Sequence, residues 1–154
     1  MRTFSLSVLA VALCVTGANH AAEKEKKKSD ADKMQGTWQA VTVEIGGAPL
    51  PEGIVTNLKH EIKGNKMITL GVPDIIKEYG EGTFKLDPST TPKSLDFTVT
   101  AGNKKGDELE GIYEFKGDDE LRMCIHIVGK ERPDAFVTKE GDSRGLLVLK
   151  REKK

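Results

Sequence analysis

The sequence predicts an all-β domain, an antiparallel up-and-down β-barrel of about eight strands with one short helical segment. Three observations lead there. From Trp38 onward, apolar and polar residues alternate with the period of strands. Clusters of Gly, Asn, Asp and Pro break that alternation at short intervals. The alternation leaves one apolar face, which a sheet hides by closing on itself or by packing against a second sheet as a sandwich, and closure also removes the exposed edges.

The elements follow in order. Residues 38–45 alternate, with Val41, Val43 and Ile45 on one face and Trp38, Ala40, Thr42 and Glu44 on the other, until Gly46-Gly47 ends the run. Residues 52–58, and after them residues 74–79, can form a helical turn or two. Residues 59–70 read as two short strands joined at Gly64-Asn65, a pair that tolerates the positive φ of a tight hairpin. Further strands are expected at 82–87, 95–100, 109–116, 121–128 and 146–151. Between them stand Asp87-Pro88, Gly102-Asn103, Gly117-Asp118 and Gly141-Asp142, turn residues with known mechanisms.

One hairpin fixes its own register. With Gly117-Asp118-Asp119 as the loop, Phe115 faces Leu121, Tyr113 faces Met123, Glu114 faces Arg122 and Glu110 faces His126. A slip by one residue sets Phe115 against Arg122 and turns every apolar side chain to water. The apolar face is then Leu109, Tyr113, Phe115, Leu121, Met123, Ile125 and Ile127, and Cys124 falls among the polar residues of the other face.

Ahead of the domain, residues 1–22 read as a secretory signal peptide: Arg2, an apolar run from Phe4 to Val15, then small residues. Export to the periplasm or the exterior is the expectation. A lipid anchor needs a small residue before Cys14, and Leu13 stands there. No other segment approaches the roughly 20 apolar residues of a spanning helix. Residues 23–33, without a large apolar side chain, read as a charged flexible linker, which leaves 34–154 for the barrel.

The full chain carries 24 basic and 24 acidic side chains in 154 residues. Removing residues 1–22 takes away Arg2 and no acid, and such a balance disfavours nucleic acid. Cys124 then lacks a disulfide partner in the chain and reads as a small buried or half-buried hydrophobe.

Gly36-Thr37-Trp38 opening the first strand resembles the Gly-x-Trp start of lipocalin-like barrels. In such barrels a basic residue of the last strand covers the Trp, and Arg151 is the match, ahead of Lys150. Gly36, Trp38 and Arg151 are therefore the expected structural residues. A closer resemblance rests on five blocks in order. They are Gln35-Gly36-Thr37-Trp38, Leu86-Asp87-Pro88-Ser89 with Pro92-Lys93, Gly111-Ile112-Tyr113-Glu114, Gly129-Lys130-Glu131-Arg132-Pro133 and Leu147-Val148-Leu149-Lys150-Arg151. These resemble a family of small exported domains abundant in planctomycete bacteria, of uncharacterised function and lipocalin-like fold. The resemblance implies fold and export and brings no catalytic residues. The chain departs from ligand-carrying lipocalins in lacking their disulfide and in having only seven aromatic residues beyond the N-terminal segment.

Chemical motifs are scarce. Cys124 and His126 share a face, but zinc needs three or four ligands and His60 is the one other histidine of the domain. Glu131-Arg132-Pro133-Asp134 offers a loop in which Glu131 and Arg132 bind a ligand or a partner or, more plainly, a turn fixed by Pro133 with Arg132 paired to a carboxylate. Asp118-Asp119-Glu120 lacks the alternating ligands of a calcium loop. Glu44, if inward with Trp38, would need a partner such as Arg122 or Arg151. Neither a nucleophile elbow nor a nucleotide fingerprint is present, so no catalytic residue, metal or cofactor is expected, and the chain is read as not an enzyme.

Two readings stay open. In the first, an exported binding module holds a small, partly apolar ligand in the barrel interior through Trp38, Tyr113 and Met123. In the second, a filled barrel serves as a structural or protein-interaction domain of the cell envelope. A contiguous interior cavity separates them.

Overall fold

The computed structural model describes residues 27–153. The expected signal peptide and linker residues 23–26 lie outside the described residues. The nine strands are β1 (Gly36–Ile45), β2 (Ala48–Pro49), β3 (Lys59–Lys63), β4 (Lys66–Leu70), β5 (Glu81–Asp87), β6 (Lys93–Ala101), β7 (Glu108–Lys116), β8 (Glu120–His126) and β9 (Arg144–Arg151). Three short helices accompany them: α1 (Asp30–Met34), α2 (Glu52–Val55) and α3 (Pro73–Tyr79).

Every hydrogen-bonded strand pair is antiparallel, and from β3 to β9 each strand pairs with the next. β1 pairs with β3 on one side and β9 on the other, so eight strands close into an up-and-down barrel while β2 adds a two-residue fringe to β1. The β7–β8 hairpin has the register its alternation demands, with Phe115 opposite Leu121, Tyr113 opposite Met123 and Glu114 opposite Arg122. The ladder stops at Gly111 and Ile125. Glu110 pairs instead with Asp96 of β6 and His126 with Arg144 of β9, so the expected Glu110–His126 pair is not formed.

β1 departs from simple alternation. Its register against β9 shifts between Ala40 and Thr42, a bulge that adds one residue and reverses the parity of everything after it. Trp38 and Ala40 point inward before the bulge and Val43 after it, leaving Val41 exposed. The expected single face for Val41 and Val43 is thereby corrected. Glu44 is half-buried and, instead of meeting Arg122 or Arg151, accepts a hydrogen bond from the Thr138 hydroxyl at 3.0 Å.

The linker also ends earlier than residue 33, because α1 occupies Asp30–Met34. Ser29 and Asp32 form a reciprocal capping box at its start, and Met34 at its end is fully buried. Asp30 accepts hydrogen bonds from the Tyr113 hydroxyl at 2.8 Å and from Lys93 at 2.7 Å, which docks the helix across one end of the barrel. Burial alone would raise the Asp30 pKa. The Lys93 and Tyr113 hydrogen bonds and the charges of Lys93 and Lys33 outweigh it and leave the carboxyl below its ordinary value.

That end is filled. Trp38, Tyr113, Leu121 and Leu149 are wholly buried there, and the Trp38 indole donates to the Met34 carbonyl at 2.8 Å. Phe115 lies 6.3 Å from the Trp38 ring and edge-on to Tyr113 at 5.9 Å. Arg151 covers Trp38 with its guanidinium 4.2 Å from the ring centroid and donates to the carbonyls of Lys33, Gln35 and Asp118. Gly36 has φ +117°, and a Cβ there would sit 3.1 Å from the Arg151 guanidinium, so this turn into β1 needs glycine.

A second, smaller apolar cluster lies outside the barrel wall. Ile112, Cys124 and Leu146 are buried beneath Phe136, in the segment between β8 and β9. Arg132 pins that segment by donating to the carbonyls of Leu95 and Gly111 and to the Asp96 carboxylate. Cys124 is thus a buried hydrophobe on the face predicted to be wet, with its thiol pushed up in pKa chiefly by burial.

Candidate functional site

At the end away from α1 the barrel is not filled. A cavity of about 290 Å³ opens there, floored by Met67, Phe97, Leu109 and Met123 and walled by Val43, Leu58, Ile125 and Leu147. The exposed residues Ile45 and Asp74 mark its rim, and Ile75, Glu78 and Tyr79 of α3 form one side of the mouth. The shape follows from the local sequence. Gly71, at φ +87°, turns the chain from β4 into α3 so close to α2 that a Cβ would lie 1.8 Å from the Asn57 carbonyl oxygen. This close approach sets α3 at the mouth, where Asp74, Ile75, Glu78 and Tyr79 line the opening.

Of the three residues expected to hold a ligand, Met123 alone reaches the cavity. Trp38 and Tyr113 belong to the packed end, where Trp38 supports α1 and Tyr113 binds Asp30, so the expected ligand role is corrected for both. The reason is the direction of β1. Trp38 stands near its start, beside α1, while the cavity forms around its end at Val43 and Ile45. Gly36, Trp38 and Arg151 together form the structural latch of the closed end.

The cavity has few polar groups. His60 on β3 is 6% exposed and faces Thr69 across the β3–β4 ladder. The Thr69 hydroxyl donates to the Tyr79 carbonyl at 2.7 Å and so ties α3 to β4. Neither ring nitrogen of His60 has a protein partner. Burial pushes its pKa down to about 4, so the ring is neutral across the physiological range. Tyr79 is raised in pKa by burial and by the charges of Asp107 and Glu78. The lining includes the carboxylates Asp74 and Glu78, with no Lys or Arg among them.

His60 was marked in the sequence only as a lone potential metal ligand, yet its inward direction is written in the alternation of Leu58, His60 and Ile62. Among the described residues, no group of three or more His, Cys, Asp and Glu side chains could hold a metal ion. No helix among them is long and apolar enough to cross a membrane. Compared with known proteins, the chain matches no family model and no curated protein.

Proposed function

We propose that the protein is an exported, non-catalytic binding module that holds a small, partly apolar ligand in the open end of its barrel. The observation that carries this reading is the cavity of about 290 Å³, apolar over nearly all its wall, with His60 unpartnered inside it. Ligand sites in general are concave, largely apolar and furnished with one or two polar groups that orient the guest, at volumes from about 300 Å³ upward. An envelope interaction domain has no use for such a void, and close packing would have been more stable. The same reading takes the chain to be a lipocalin-like relative of the exported planctomycete domains, on its five sequence blocks, with residues 1–22 as its export signal.

The test is native mass spectrometry of the protein purified from its own host, together with calorimetric titration of small apolar compounds. A co-purifying mass, or binding that disappears when Ile125→Trp fills the cavity, supports the module. Absence of both across a broad panel at millimolar concentration returns the protein to the structural alternative.

A further inference from the structure

The chemistry of the cavity narrows the ligand beyond its being apolar. An engineered cavity of about 150 Å³ takes benzene, so 290 Å³ suits a molecule of about a dozen heavy atoms. Its wall offers such a molecule dispersion and desolvation on nearly every side, and His60 is the lining side chain whose polar atoms are buried without a partner. Thr69, the other buried polar side chain of the core, donates its hydroxyl proton to the Tyr79 carbonyl and is left as an acceptor only, which a guest hydroxyl can meet and an ether or ketone cannot.

An imidazole without charge presents one N–H and one bare nitrogen. A guest hydroxyl satisfies either, donating to the bare nitrogen or accepting from the N–H, whereas an ether or ketone only accepts. A carboxylate guest would find no Lys or Arg in the lining to hold it and would pass Asp74 and Glu78 on the way in. Its charge would then be buried without compensation.

We infer that the cavity selects an uncharged apolar molecule of about a dozen heavy atoms that carries one hydroxyl group, which hydrogen-bonds to His60, and that it rejects carboxylate anions of the same size. This inference rests on the binding-module reading and assigns its ligand class. It makes His60 the specificity residue of the site.

The test compares 1-naphthol, naphthalene and 1-naphthoate by calorimetric titration on the full-length mature protein and on His60→Phe and His60→Gln. Naphthol is expected to bind about tenfold tighter than naphthalene, the worth of one hydrogen bond to a buried group. Naphthoate should bind more weakly than either. His60→Phe should bring naphthol and naphthalene within about twofold of each other while naphthalene still binds, and His60→Gln should restore part of the preference. Should His60→Phe not fold, the imidazole resonances of His60 in the wild-type protein serve instead, shifting with naphthol and not with naphthalene.

Equal binding of naphthol and naphthalene to the wild type, or tightest binding of naphthoate, overturns the assignment of ligand class and leaves the binding module standing. Binding of none of the three overturns both.

Discussion

The closed end of the barrel depends on Arg151, and replacing it by Ala tests the account of how that end is held. The substitution removes a fork that donates to the Lys33 carbonyl at 2.6 Å and the Gln35 carbonyl at 2.5 Å. It also removes the Nε bond to the Asp118 carbonyl at 3.0 Å and the guanidinium 4.2 Å above Trp38. Each of the two partly buried bonds contributes about 1 kcal/mol net, and the cation–π contact about another 1 kcal/mol. The expected loss is therefore about 3 kcal/mol, a large share of the 5–15 kcal/mol that holds a typical domain folded. With a urea dependence of about 1.5 kcal/mol per molar, the unfolding midpoint should fall by about 2 M. Trp38 is the only tryptophan, so its emission reports both the midpoint and its own exposure. Arg151→Lys keeps the charge but loses the planar fork, and should recover about half of the loss. A loss below about 1 kcal/mol for Arg151→Ala, or full stability for Arg151→Lys, would refute the latch.

Other consequences follow from single sites. Because His60 is pushed from its ordinary 6.5 to about 4, the unfolded chain binds the proton more readily than the folded one. Its contribution to stability is constant above about pH 6.5 and is lost as pH falls toward 4, by about 3 kcal/mol in full; urea midpoints of the wild type and His60→Phe should diverge over that window, and parallel curves would show that the ring is not buried. Asp30→Ala, which strips Tyr113 and Lys93 of their shared acceptor, should leave the barrel folded while α1 undocks, read as faster amide exchange across residues 30–34. Gly71→Ala forces both a strained φ and a clash with the Asn57 carbonyl, and should cost about 3 kcal/mol in urea unfolding. Cys124, buried beneath Phe136 with a raised thiol pKa, should resist a disulfide reagent in the native protein and react once urea releases the segment around Arg132.

Much of the fold was legible because a barrel advertises itself locally. The β7–β8 register follows from Tyr113, Phe115, Leu121 and Met123 around a Gly-Asp-Asp loop, and the structure has it. The contact of Arg151 with Trp38 was expected from the Gly-Thr-Trp start and is formed. The β1 bulge was not legible, since Val41 carries no local mark of the extra residue that the β9 ladder imposes. Cys124 was expected to be a buried hydrophobe and is one, but its burial with Ile112 on the outer face was not legible, since it depends on a distant segment folding over them. α1 had a signal in Ser29-x-x-Asp32 ahead of Met34, hidden by the surrounding charge.

The sequence by itself determined an all-β chain whose one-faced strands must bury that face, by closing into a barrel or by packing as two sheets, and the β1–β9 pairing of the structure is the closure. Only the tertiary structure decided where that interior is full and where it is empty. Packing density is a property of side chains brought together from eight strands, and no local pattern reports their summed volume. For the same reason Trp38 and Tyr113 turned out to seal the barrel, while His60, singled out in the sequence only as a lone potential metal ligand, lines its cavity with both ring nitrogens unpartnered.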